Sequence, residues 1–420
     1  MNERYKNGYI SWASSIEAEA LKQIKNLVAH PIVQNPVAIM PDCHAGAGAT
    51  IGSVFKTMPQ SIIPMAVGVD IGCGMRAIRL DPEFCKQHFG TRDQKEKLFN
   101  DICEIIPVGF KCYSPDSEKG KKFLAENKLW CRSLFESLFV RFGEFYPENE
   151  REWLQQTTIE QLGTLGGGNH FLSLMSTEDE SVWYLVVHSG SRRLGHYTAT
   201  QAYQMALSET QDRLGSDWKS QLRDENLVYL QGESAIQYFL VQTRILTYAR
   251  INRAMMLFRL ITELGIKTYN GSLTLNDLFK LLYFHSYGDE ILETVHNFVE
   301  SDSSWNFLTR KGACSAKKGE IVIIPGSMGS ETYICEGLGN KDSFMSCSHG
   351  AGRQMSRSVA KKSFTLQDVT SQTEGVVCKK DESILDELPA AYKDIRTVIE
   401  EQKDLVSVRY VLHDRVCVKG

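Results

Sequence analysis

The sequence predicts a single domain that mixes α-helices with β-strands. Apolar periodicity and bounding residues indicate helices at Ser14–His30 and Ser234–Leu264, and a buried strand is indicated at Val182–Val187, which reads V-W-Y-L-V-V. No repeat, low-complexity stretch or linker separates these segments along the 420 residues. We therefore expect one domain with insertions, large enough to bury an extensive core.

The composition is that of a globular protein without a membrane segment. Hydrophobic residues make up 42% and charged residues 23%, and no apolar run is long enough to span a bilayer. The N-terminus has no apolar signal segment, and the 11 cysteines include no CxxC pair, so we expect reduced thiols in a cytoplasmic protein. Because the net charge is -4, a nucleic-acid substrate would need a local basic patch.

The amphipathic helix Ser14–His30 is followed by a short strand, Val37–Met40, and by the loop Pro41–Gly52. The loop reads P-D-C-H-A-G-A-G-A-T-I-G, and its GxGxxxG spacing is not that of a dinucleotide-binding fingerprint. Asp42 and His44 lie two residues apart, so an extended backbone would place them on the same side. The alternative is a turn in which Asp42 bonds its own backbone and His44 lies at the surface.

The stretch Val67–Met75, V-G-V-D-I-G-C-G-M, is the most unusual in the chain. Its three glycines fit neither a regular helix nor a regular strand, and they suit a loop whose backbone bends sharply. We expect Ile62–Ile78 to run as strand, loop and strand, with Asp70 and Cys73 at the bend. A carboxylate and a thiolate presented together form half of a candidate transition-metal site.

Two further polar turns follow the segment 81–152, which we interpret as a peripheral helical insertion. The turn L-G-T-L-G-G-G-N-H-F presents Asn169 and His170. The predicted strand Val182–Val187 then leads to H-S-G-S-R, which places His188 just beyond the strand, a usual position for a ligand or catalytic residue.

The long helix Ser234–Leu264 has Ser234 as its expected N-cap and Gly265 at its C-terminal stop. Four arginines along it form either a solvated face or a local basic surface: Arg244, Arg250, Arg253 and Arg259. His285 and His296 follow, and the chain then becomes mostly strands and turns.

The C-terminal part of the chain contains two more glycine turns. I-V-I-I-P-G-S-M-G occupies Ile321–Gly329, and S-C-S-H-G-A-G-R occupies Ser346–Arg353, where it presents His349. We expect a helix carrying Arg357 soon afterwards and a last strand at Leu405–Leu412.

Four glycine-rich turns thus present polar side chains: Asp70 and Cys73, Asn169 and His170, His188 and Arg192, and His349 and Arg353. A single histidine in such a turn is more often a hydrogen-bonded core residue, and Cys73 alone would be a packed thiol. Together, however, the turns favour a site assembled from loops. Aspartate, thiolate and neutral imidazole favour Mn, Fe or Zn over Mg or Ca, and glycine-turn N–H groups with arginines suit phosphate oxygens. The residues therefore predict a metal-dependent enzyme that acts on phosphorylated substrates.

Seven motifs occur in a fixed order along the chain: P-D-C-H-A-G-A-G-A-T-I-G-S-V, V-G-V-D-I-G-C-G-M, L-G-T-L-G-G-G-N-H-F, H-S-G-S-R, P-G-S-M-G, S-H-G-A-G-R and A-Y-K-D-I. In sequence and order they resemble the RtcB family of GTP- and manganese-dependent RNA ligases. The resemblance runs from about Val37 to Lys419-Gly420 and is weakest at 81–152 and 208–232, which it marks as variable helical insertions. It implies an α+β fold: a single RtcB-like domain over 1–420, with central β-sheets, outer helices and a dinuclear metal site built from loops.

The resemblance also implies which residues hold the metals, the nucleotide and the RNA. The ligands of two Mn²⁺ ions would be Asp70, Cys73, His170, His188 and His296, with the Cys73 thiolate bridging. His296 is preferred over His285 because the family's ligand is followed by Asn, as at Asn297. His349 would take GMP, with Asp42 orienting it. The nucleotide would contact Asn169, Thr332, Ala351, Gly352, Tyr392 and Lys419, with Tyr392 stacking on guanine, and RNA or nucleotide phosphates would contact Arg192 and Arg353.

The implied reaction joins an RNA 3′-phosphate or 2′,3′-cyclic phosphate to a 5′-hydroxyl through a histidine–GMP intermediate, in RNA repair or tRNA splicing. Two other interpretations stay open. A metal-dependent hydrolase of cyclic phosphates or phosphodiesters would act without GTP and without His349. A non-catalytic RNA-binding sensor would bind RNA without forming a GMP adduct. The complete ligand set and His349 favour the ligase, and the residues do not say which RNA is joined or whether a helper protein is needed.

The chain departs from the family pattern at two places. Family members usually carry Glu where this chain has Ser173, three residues after His170. That acid would lie near the nucleotide, so Ser173 predicts a changed guanine preference or weaker nucleotide binding. The loop Pro41–Gly52 also lacks the basic or aromatic residue often found inside it. We therefore expect a divergent, bacterial-type member whose RNA differs from that of the housekeeping enzyme.

Overall fold

A computed structural model gives the structure of residues 4–271 and 288–420. Within these residues helices alternate with β-sheets that form the centre of the molecule, so the predicted α+β class is confirmed. His285 lies outside the described residues.

The strands of the described residues, numbered in chain order, are β1 (Tyr5–Lys6), β2 (Tyr9–Ser11), β3 (Val33–His44), β4 (Ile51–Thr57), β5 (Ser61–Ile62), β6 (Gly74–Leu80), β7 (Phe171–Ser176), β8 (Trp183–Ser189), β9 (Leu230–Gln231), β10 (Ile291–Val295), β11 (Asn297–Ser301), β12 (Phe307–Lys311), β13 (Ala313–Ser315), β14 (Ile321–Pro325), β15 (Thr332–Gly337), β16 (Ser346–Ser348), β17 (Val377–Cys378) and β18 (Val406–Lys419).

The helices of the same residues are α1 (Ala18–Val28), α2 (Pro64–Val67), α3 (Pro82–Phe89), α4 (Arg92–Ile105), α5 (Glu118–Phe135), α6 (Glu148–Gln161), α7 (Arg192–Leu214), α8 (Trp218–Leu222), α9 (Glu233–Leu264), α10 (Arg357–Ser363), α11 (Leu366–Gln372) and α12 (Ile395–Glu401). None of these helices combines the length and the apolar character needed to cross a bilayer.

Two large sheets dominate the fold. The smaller has six strands in the order β1–β2–β3–β4–β12–β11, and the larger runs β10–β6–β8–β7–β18–β15–β14, with β17 added beside β18. The two end strands of the larger sheet approach each other, because the Ile323 N–H on β14 donates to Thr294 Oγ1 on β10 at 3.0 Å. This sheet is therefore nearly closed on itself.

The register of the larger sheet brings particular strand ends together. Gly74 at the start of β6 lies opposite Val295 at the end of β10. Phe171 at the start of β7 lies opposite His188 near the end of β8 and opposite Lys419 at the end of β18. Because neighbouring strands are antiparallel here, starts and ends alternate along one edge. That edge faces the turns that the sequence analysis singled out.

The 32-residue helix α9 packs against both sheets. Its first half contributes Tyr238 and Ile245 to the core that includes residues of β3, β4, α1 and α7. Its second half contributes Leu257 and Leu260 to the core beneath the larger sheet. The helix ends at Gly265 in the left-handed conformation, as predicted, but it begins at Glu233 with Gly232 rather than Ser234 as N-cap.

The arginines of α9 do not form the solvated or basic face that the sequence suggested. Arg253 and Arg259 are buried, and the Arg250 side chain is only 17% exposed, so Arg244 is the exposed member of the four. A helix in contact with two sheets has little surface left for solvent. Its charged side chains must therefore be satisfied inside the protein.

A buried ion pair with Glu293 balances the charge of Arg253. Its guanidinium donates to the carbonyl oxygens of Gly72 and Ser189, both at 2.8 Å, and to the Glu293 carboxylate. Glu293 also accepts from Arg76, and the side chains of all three charged residues are fully buried. Burial alone would raise the pKa of the Glu293 carboxyl, but Arg76 and Arg253 outweigh burial and lower it. The network ties α9 to the backbone beside Cys73 and His188.

Three other expectations need correction. The segment Ile62–Ile78 is not strand, loop and strand throughout, because only Ser61–Ile62 is extended before the helical turn α2. His188 lies within β8 rather than beyond it. The last strand is longer than Leu405–Leu412 and continues to Lys419. The segment 81–152 is helical as expected, in α3, α4, α5 and the start of α6, and its variability stays a prediction.

Stability should fall in acid because of His30. Its ring is buried with Nε2 3.0 Å from the Leu227 carbonyl oxygen, and burial lowers its pKa to about 4 from an unfolded value of about 6.5. Between these pH values the unfolded chain binds more protons than the folded one. The contribution of neutral His30 to the free energy of unfolding is therefore fully present above pH 6.5, and about 3 kcal/mol of it is lost as the pH falls towards 4. Urea unfolding at several pH values should show His30→Gln losing correspondingly less stability than wild type; parallel profiles would contradict this.

Replacing Glu293 by Gln should remove the carboxylate that pairs with the buried side chains of Arg76 and Arg253. We expect Glu293→Gln to lower the free energy of unfolding by about 3–5 kcal/mol, the usual cost of breaking a buried pair. Glu83→Gln is the matched control, because its pair with Lys86 is exposed and should change stability little. Similar denaturation midpoints for the two variants would show that the network does not stabilise the fold.

Candidate active site

The turn between α2 and β6 carries Asp70 and Cys73. It begins at Gly68, whose φ is +97°, and bends again at Gly72, whose φ is +73°. A Cβ added to Gly72 would lie only 3.0 Å from Leu246 Cδ2 on α9. The turn is thus pressed against the helix in a conformation that favours glycine.

Two groups of potential metal ligands share the Cys73 thiol. One group is Asp70, Cys73 and His170, and the other is Cys73, His188 and His296; the ligand atoms of each lie within 4.8 Å of one another. Cys73 Sγ is 3.5 Å from His170 Nε2 and 3.3 Å from His188 Nε2. Thiolate and imidazole are ligands of first-row transition metals, so the two groups can hold two adjacent divalent cations.

Backbone carbonyl groups orient two of the histidine rings. His170 Nδ1 lies 3.0 Å from the Leu165 carbonyl oxygen, and His188 Nδ1 lies 3.2 Å from the Asn169 carbonyl oxygen. A ring that donates through Nδ1 keeps its Nε2 lone pair free, and in both residues Nε2 is the atom nearest Cys73. Such outer hydrogen bonds are the usual support of metal-ligating histidines.

The protonation states also suit a metal. Burial lowers the pKa of His188 and of His296 well below the ordinary value, which keeps both rings neutral. His296 Nδ1 is buried and has no hydrogen-bond partner among the described residues, as expected of a nitrogen atom that binds a cation. Burial would raise the pKa of Asp70, but the adjacent His170 side chain lowers it to about 2. Burial raises the pKa of the Cys73 thiol, and a bound cation would favour the thiolate instead.

His349 lies beside this cluster, directly after β16. Its Nδ1 is 2.6 Å from Asp42 Oδ2, and its backbone N–H donates to the same oxygen at 3.1 Å. Burial would raise the pKa of Asp42, but the neighbouring His349 ring outweighs burial and lowers it. The rings of His349 and His296 are 4.8 Å apart. Asp42 therefore does not form the turn, bonded to its own backbone, that was considered as the alternative. Because Asp42 holds Nδ1, the Nε2 atom of His349 is available to react with a ligand.

A cavity of about 400 Å³ opens at this edge of the larger sheet. Its size falls within the range of small-molecule sites. Twelve of the predicted site residues line it: Asp70, Cys73, Asn169, His188, His296, Thr332, His349, Ala351, Gly352, Arg353, Tyr392 and Lys419. The structure thus brings together residues that are up to 349 positions apart in the sequence.

A buried carboxylate organises one wall of the cavity. Glu387 accepts from Lys419 Nζ at 2.6 Å, from Arg357 at 2.5 Å and from the Tyr392 hydroxyl at 2.9 Å. Arg353 lies 3.5 Å from the same side chain, with its guanidinium 4.8 Å from the centre of the Tyr392 ring. Burial would raise the pKa of Glu387, but Lys419 and the other cations lower it. The wall presents three cations around Glu387; Arg357 also pairs with Asp386 Oδ2 at 2.7 Å, and the remaining positive charge favours an anionic ligand.

His170 belongs to a ligand group but does not line the cavity, and Arg192 is the one predicted ligand-contacting residue that belongs to neither set. It does not line the cavity; its guanidinium donates to Thr164 Oγ1 at 3.1 Å and to the Gly109 carbonyl oxygen at 3.2 Å. It braces the turn that carries His170, and its contact with phosphate stays a prediction. The Ala351 N–H is also already used, because it donates to the Pro325 carbonyl oxygen at 3.0 Å.

Sequence reasoning missed Lys311, although it precedes Gly312 in a conspicuous R-K-G sequence. Its Nζ donates to the carbonyl oxygens of Ala47 and Met65, at 2.8 and 2.7 Å, and it lines the cavity. Burial lowers its pKa to about 8. The segment Pro41–Gly52, predicted as a loop, begins within β3 and ends within β4; it has no lysine or arginine of its own, and Lys311 supplies a cation from β12. Two other missed lining residues, Arg357 and Asp414, stand in ordinary polar segments without any sequence signal.

The sequence model of the family described as tRNA-splicing ligase RtcB matches residues 23–420. The chain belongs to the RtcB family. This match confirms the family that the seven motifs suggested.

Named relatives in this family share most of the chain. The chain is 36% identical to RNA-splicing ligase RtcB of Escherichia coli K12, over 96% of this chain and 95% of that protein. It is 28% identical to tRNA-splicing ligase RtcB of Nanoarchaeum equitans, over 93% and 88%, and 27% identical to that of Methanococcus maripaludis, over 92% and 88%. This RtcB-family chain therefore spans nearly the full length of its relatives.

Because Cys73 belongs to both ligand groups, Cys73→Ser should weaken binding at both positions by more than about tenfold, whereas His170→Ala should weaken one. Titration with Mn²⁺ and Zn²⁺, followed by metal analysis of the desalted protein, would measure this. Cys131→Ser is the control, since Cys131 is equally buried in the helical core but belongs to neither group. Equal losses in Cys73→Ser and His170→Ala would contradict a shared thiolate.

Proposed function

We propose that this chain is an RNA ligase that joins RNA ending in a 3′-phosphate or 2′,3′-cyclic phosphate to RNA with a 5′-hydroxyl, using GTP and Mn²⁺. The observation that carries the proposal is the placement of His349, whose ring is held by Asp42 and lies 4.8 Å from that of His296 in the cavity that also exposes Cys73. A nucleophilic imidazole beside a candidate metal cluster suits phosphoryl transfer. The relatives' names, RNA-splicing ligase and tRNA-splicing ligase, support the same reaction class.

Asp42 prepares His349 for nucleophilic attack. The carboxylate accepts from Nδ1, so the lone pair of the neutral ring resides on Nε2. Nε2 forms a bond to the α-phosphorus of GTP, and pyrophosphate leaves. The positive charge that develops on the ring is stabilised by Asp42, which is fully buried and kept ionised by its neighbours.

Two Mn²⁺ ions held by Asp70, Cys73, His170, His188 and His296 would supply Lewis-acid stabilisation of phosphoryl oxygens when bound. The protein's own contribution is to fix the ligands in place. Arg253 holds the backbone at Gly72 and Ser189, which adjoin Cys73 and His188.

The cationic wall suits the nucleotide. Lys419, Arg353 and Arg357 surround Glu387 with a surplus of positive charge, and the Tyr392 ring offers an aromatic face. Asn169, Thr332, Ala351 and Gly352 line the same cavity and complete the set that we assign to the nucleotide.

The remaining steps move GMP to RNA and then release it. An oxygen of the RNA 3′-phosphate attacks the phosphorus of the histidine-bound GMP, and the bond to His349 Nε2 breaks. The 5′-hydroxyl of the second RNA then attacks the activated 3′-phosphate, loses its proton and displaces GMP. Because the net charge is -4, the RNA ends must be drawn in by local cations, among which Lys311 and Arg353 line the cavity.

A hydrolase of cyclic phosphates is the second candidate, since the ligand groups alone would suffice for it. A histidine held at 2.6 Å by a buried carboxylate could serve a hydrolase as general acid or base, but a hydrolase does not require a group that takes GMP. The sensor requires no such histidine, whereas the ligase requires it as its nucleophile. His349 therefore favours the ligase over both.

The deciding experiment incubates the Mn²⁺-loaded protein with GTP labelled at the α-phosphorus and separates the products under denaturing conditions. We expect an acid-labile labelled band that His349→Ala abolishes and that Asp42→Asn forms at least about 10²-fold more slowly, because the ring loses its orienting carboxylate. RNA with a 3′-phosphate should discharge the band, and a second RNA with a 5′-hydroxyl should be joined.

His88→Ala is the matched control, because His88 is an exposed histidine on α3 that does not line the cavity. It should behave as wild type. Cyclic-phosphate opening without GTP that survives in His349→Ala, with no adduct from any nucleotide, would replace the ligase by the hydrolase. RNA binding without either reaction would leave the sensor.

A further inference from the structure

Ser173 lies on the cavity side of β7 but does not reach the cavity. Phe171, Ser173 and Met175 share one face of the strand, and Leu172 and Leu174 between them belong to the core beneath the larger sheet. Phe171 and Met175 line the cavity, whereas Ser173 is fully buried between them. Its hydroxyl donates to the carboxylate of Asp414 on the neighbouring strand β18. Asp414 thus occupies the space in front of Ser173, and it lines the cavity instead.

An irregularity in β18 aims this carboxylate. Asp414 pairs with Met175 and Val416 pairs with Leu174, so one extra residue is inserted between them. A bulge of this kind redirects a side chain next to a site. The Gly329 N–H also donates to the carboxylate, from the glycine turn that follows β14. Two of about four acceptor positions on the carboxylate are therefore used by the protein.

The Asp414 carboxylate has no cation in contact with it. Among the described residues it forms no ion pair, and Lys419 acts on it only at longer range. Burial consequently raises its pKa to about 6. A buried carboxylate that faces a cavity without a counter-ion is a candidate for binding donor groups of a ligand.

Its position fits the base end of a nucleotide attached to His349. Ring contacts lead from His349 to His296 at 4.8 Å, to His188 at 5.2 Å and to Phe171 at 5.4 Å. Lys419 Nζ lies 5.3 Å from the centre of the Phe171 ring, and Asp414 lies five residues before Lys419 on β18. Asp414 and His349 line the same cavity, so a nucleotide attached to His349 occupies the space that Asp414 borders.

Guanine offers two adjacent N–H donors on one edge, which match the two oxygens of a carboxylate. Adenine offers one donor and one acceptor there, and its acceptor would be repelled. A buried site built for two donors rejects a base that lacks them, because its own polar atoms are then left unpaired.

We propose that Asp414 selects guanine in the nucleotide site, supplying from β18 the carboxylate that Ser173 cannot provide. This inference rests on the proposed function, since it assumes that the cavity takes a nucleotide. It changes the expectation drawn from Ser173 alone: the guanine preference is retained, and its source has moved to the neighbouring strand.

The test compares adduct formation from labelled GTP, ITP and ATP with wild type, Asp414→Asn and the exchange variant Ser173→Glu/Asp414→Asn. Wild type should prefer GTP over ATP by at least about 10²-fold, with ITP between them because it lacks one donor. In Asp414→Asn the GTP-to-ATP ratio should fall at least about tenfold, since an amide offers one donor and one acceptor, as adenine requires. The exchange variant should recover the preference.

Asp179→Asn is the matched control, because Asp179 is an exposed aspartate in the turn after β7 that does not line the cavity. Its GTP-to-ATP ratio should stay close to that of wild type. If Asp414 has only a structural role, Asp414→Asn should slow adduct formation from all three nucleotides equally and leave the GTP-to-ATP ratio unchanged. That result would overturn the inference.

Calorimetric titration of the Mn²⁺-loaded variants with GMP, IMP and AMP separates this inference from the ligase proposal. If wild type forms no adduct but binds GMP over AMP in a manner that depends on Asp414, the inference stands and the ligase chemistry fails. If an adduct forms that depends on His349, but Asp414→Asn does not change the GTP-to-ATP ratio, the ligase proposal stands and the inference is overturned. Absence of binding by any of the three nucleotides overturns the inference together with the nucleotide site.

Discussion

The buried guanidinium of Arg253 is the interaction on which the site depends. It links a helix that packs against both sheets to the backbone on either side of the candidate metal cluster, at Gly72 and Ser189. Glu293 neutralises it, and Arg76 completes the network. A buried charge of this kind is tolerated only when its partners are well placed, so the positions of helix and turns are coupled. The turns that carry the candidate metal ligands are thereby held in place by the core of the protein itself.

The two large sheets meet at His296, beside the turn of Cys73 that Arg253 holds. His296 stands between β10 of the larger sheet and β11 of the smaller, with its backbone N–H donating to the Cys73 carbonyl oxygen at 3.0 Å. Antiparallel pairing then places the ends of β8 and β18 beside the starts of β6 and β7. A cavity at this junction draws side chains from distant parts of the chain, and each is delivered by a regular strand or a tight turn. Rigid delivery of this kind preorganises a site before its ligand arrives.

The two walls of the cavity are suited to different tasks. One combines neutral imidazoles, a thiol and an ionised carboxylate, and it contains the Asp42–His349 pair. The other gathers cations around Glu387 and presents the uncompensated carboxylate of Asp414. Reaction at one wall and recognition at the other is a common division of labour in group-transfer sites, because binding energy from the unreactive end positions the reacting atoms.

The sequence by itself determined the local parts of this protein. Glycine spacing around Asp70 and Cys73 indicated a turn that presents ligands, and the motifs around His188 and His349 identified the family, because these properties belong to contiguous residues. The pattern also indicated mixed helices and strands, but it misread the arginines of α9, since periodicity does not reveal that a helix is enclosed by two sheets. Only the tertiary structure decided what Lys311, Glu387 and Asp414 do. Their surroundings come from strands and turns far away in the chain, and burial, ion pairing and register across strands are properties of the assembled sheets.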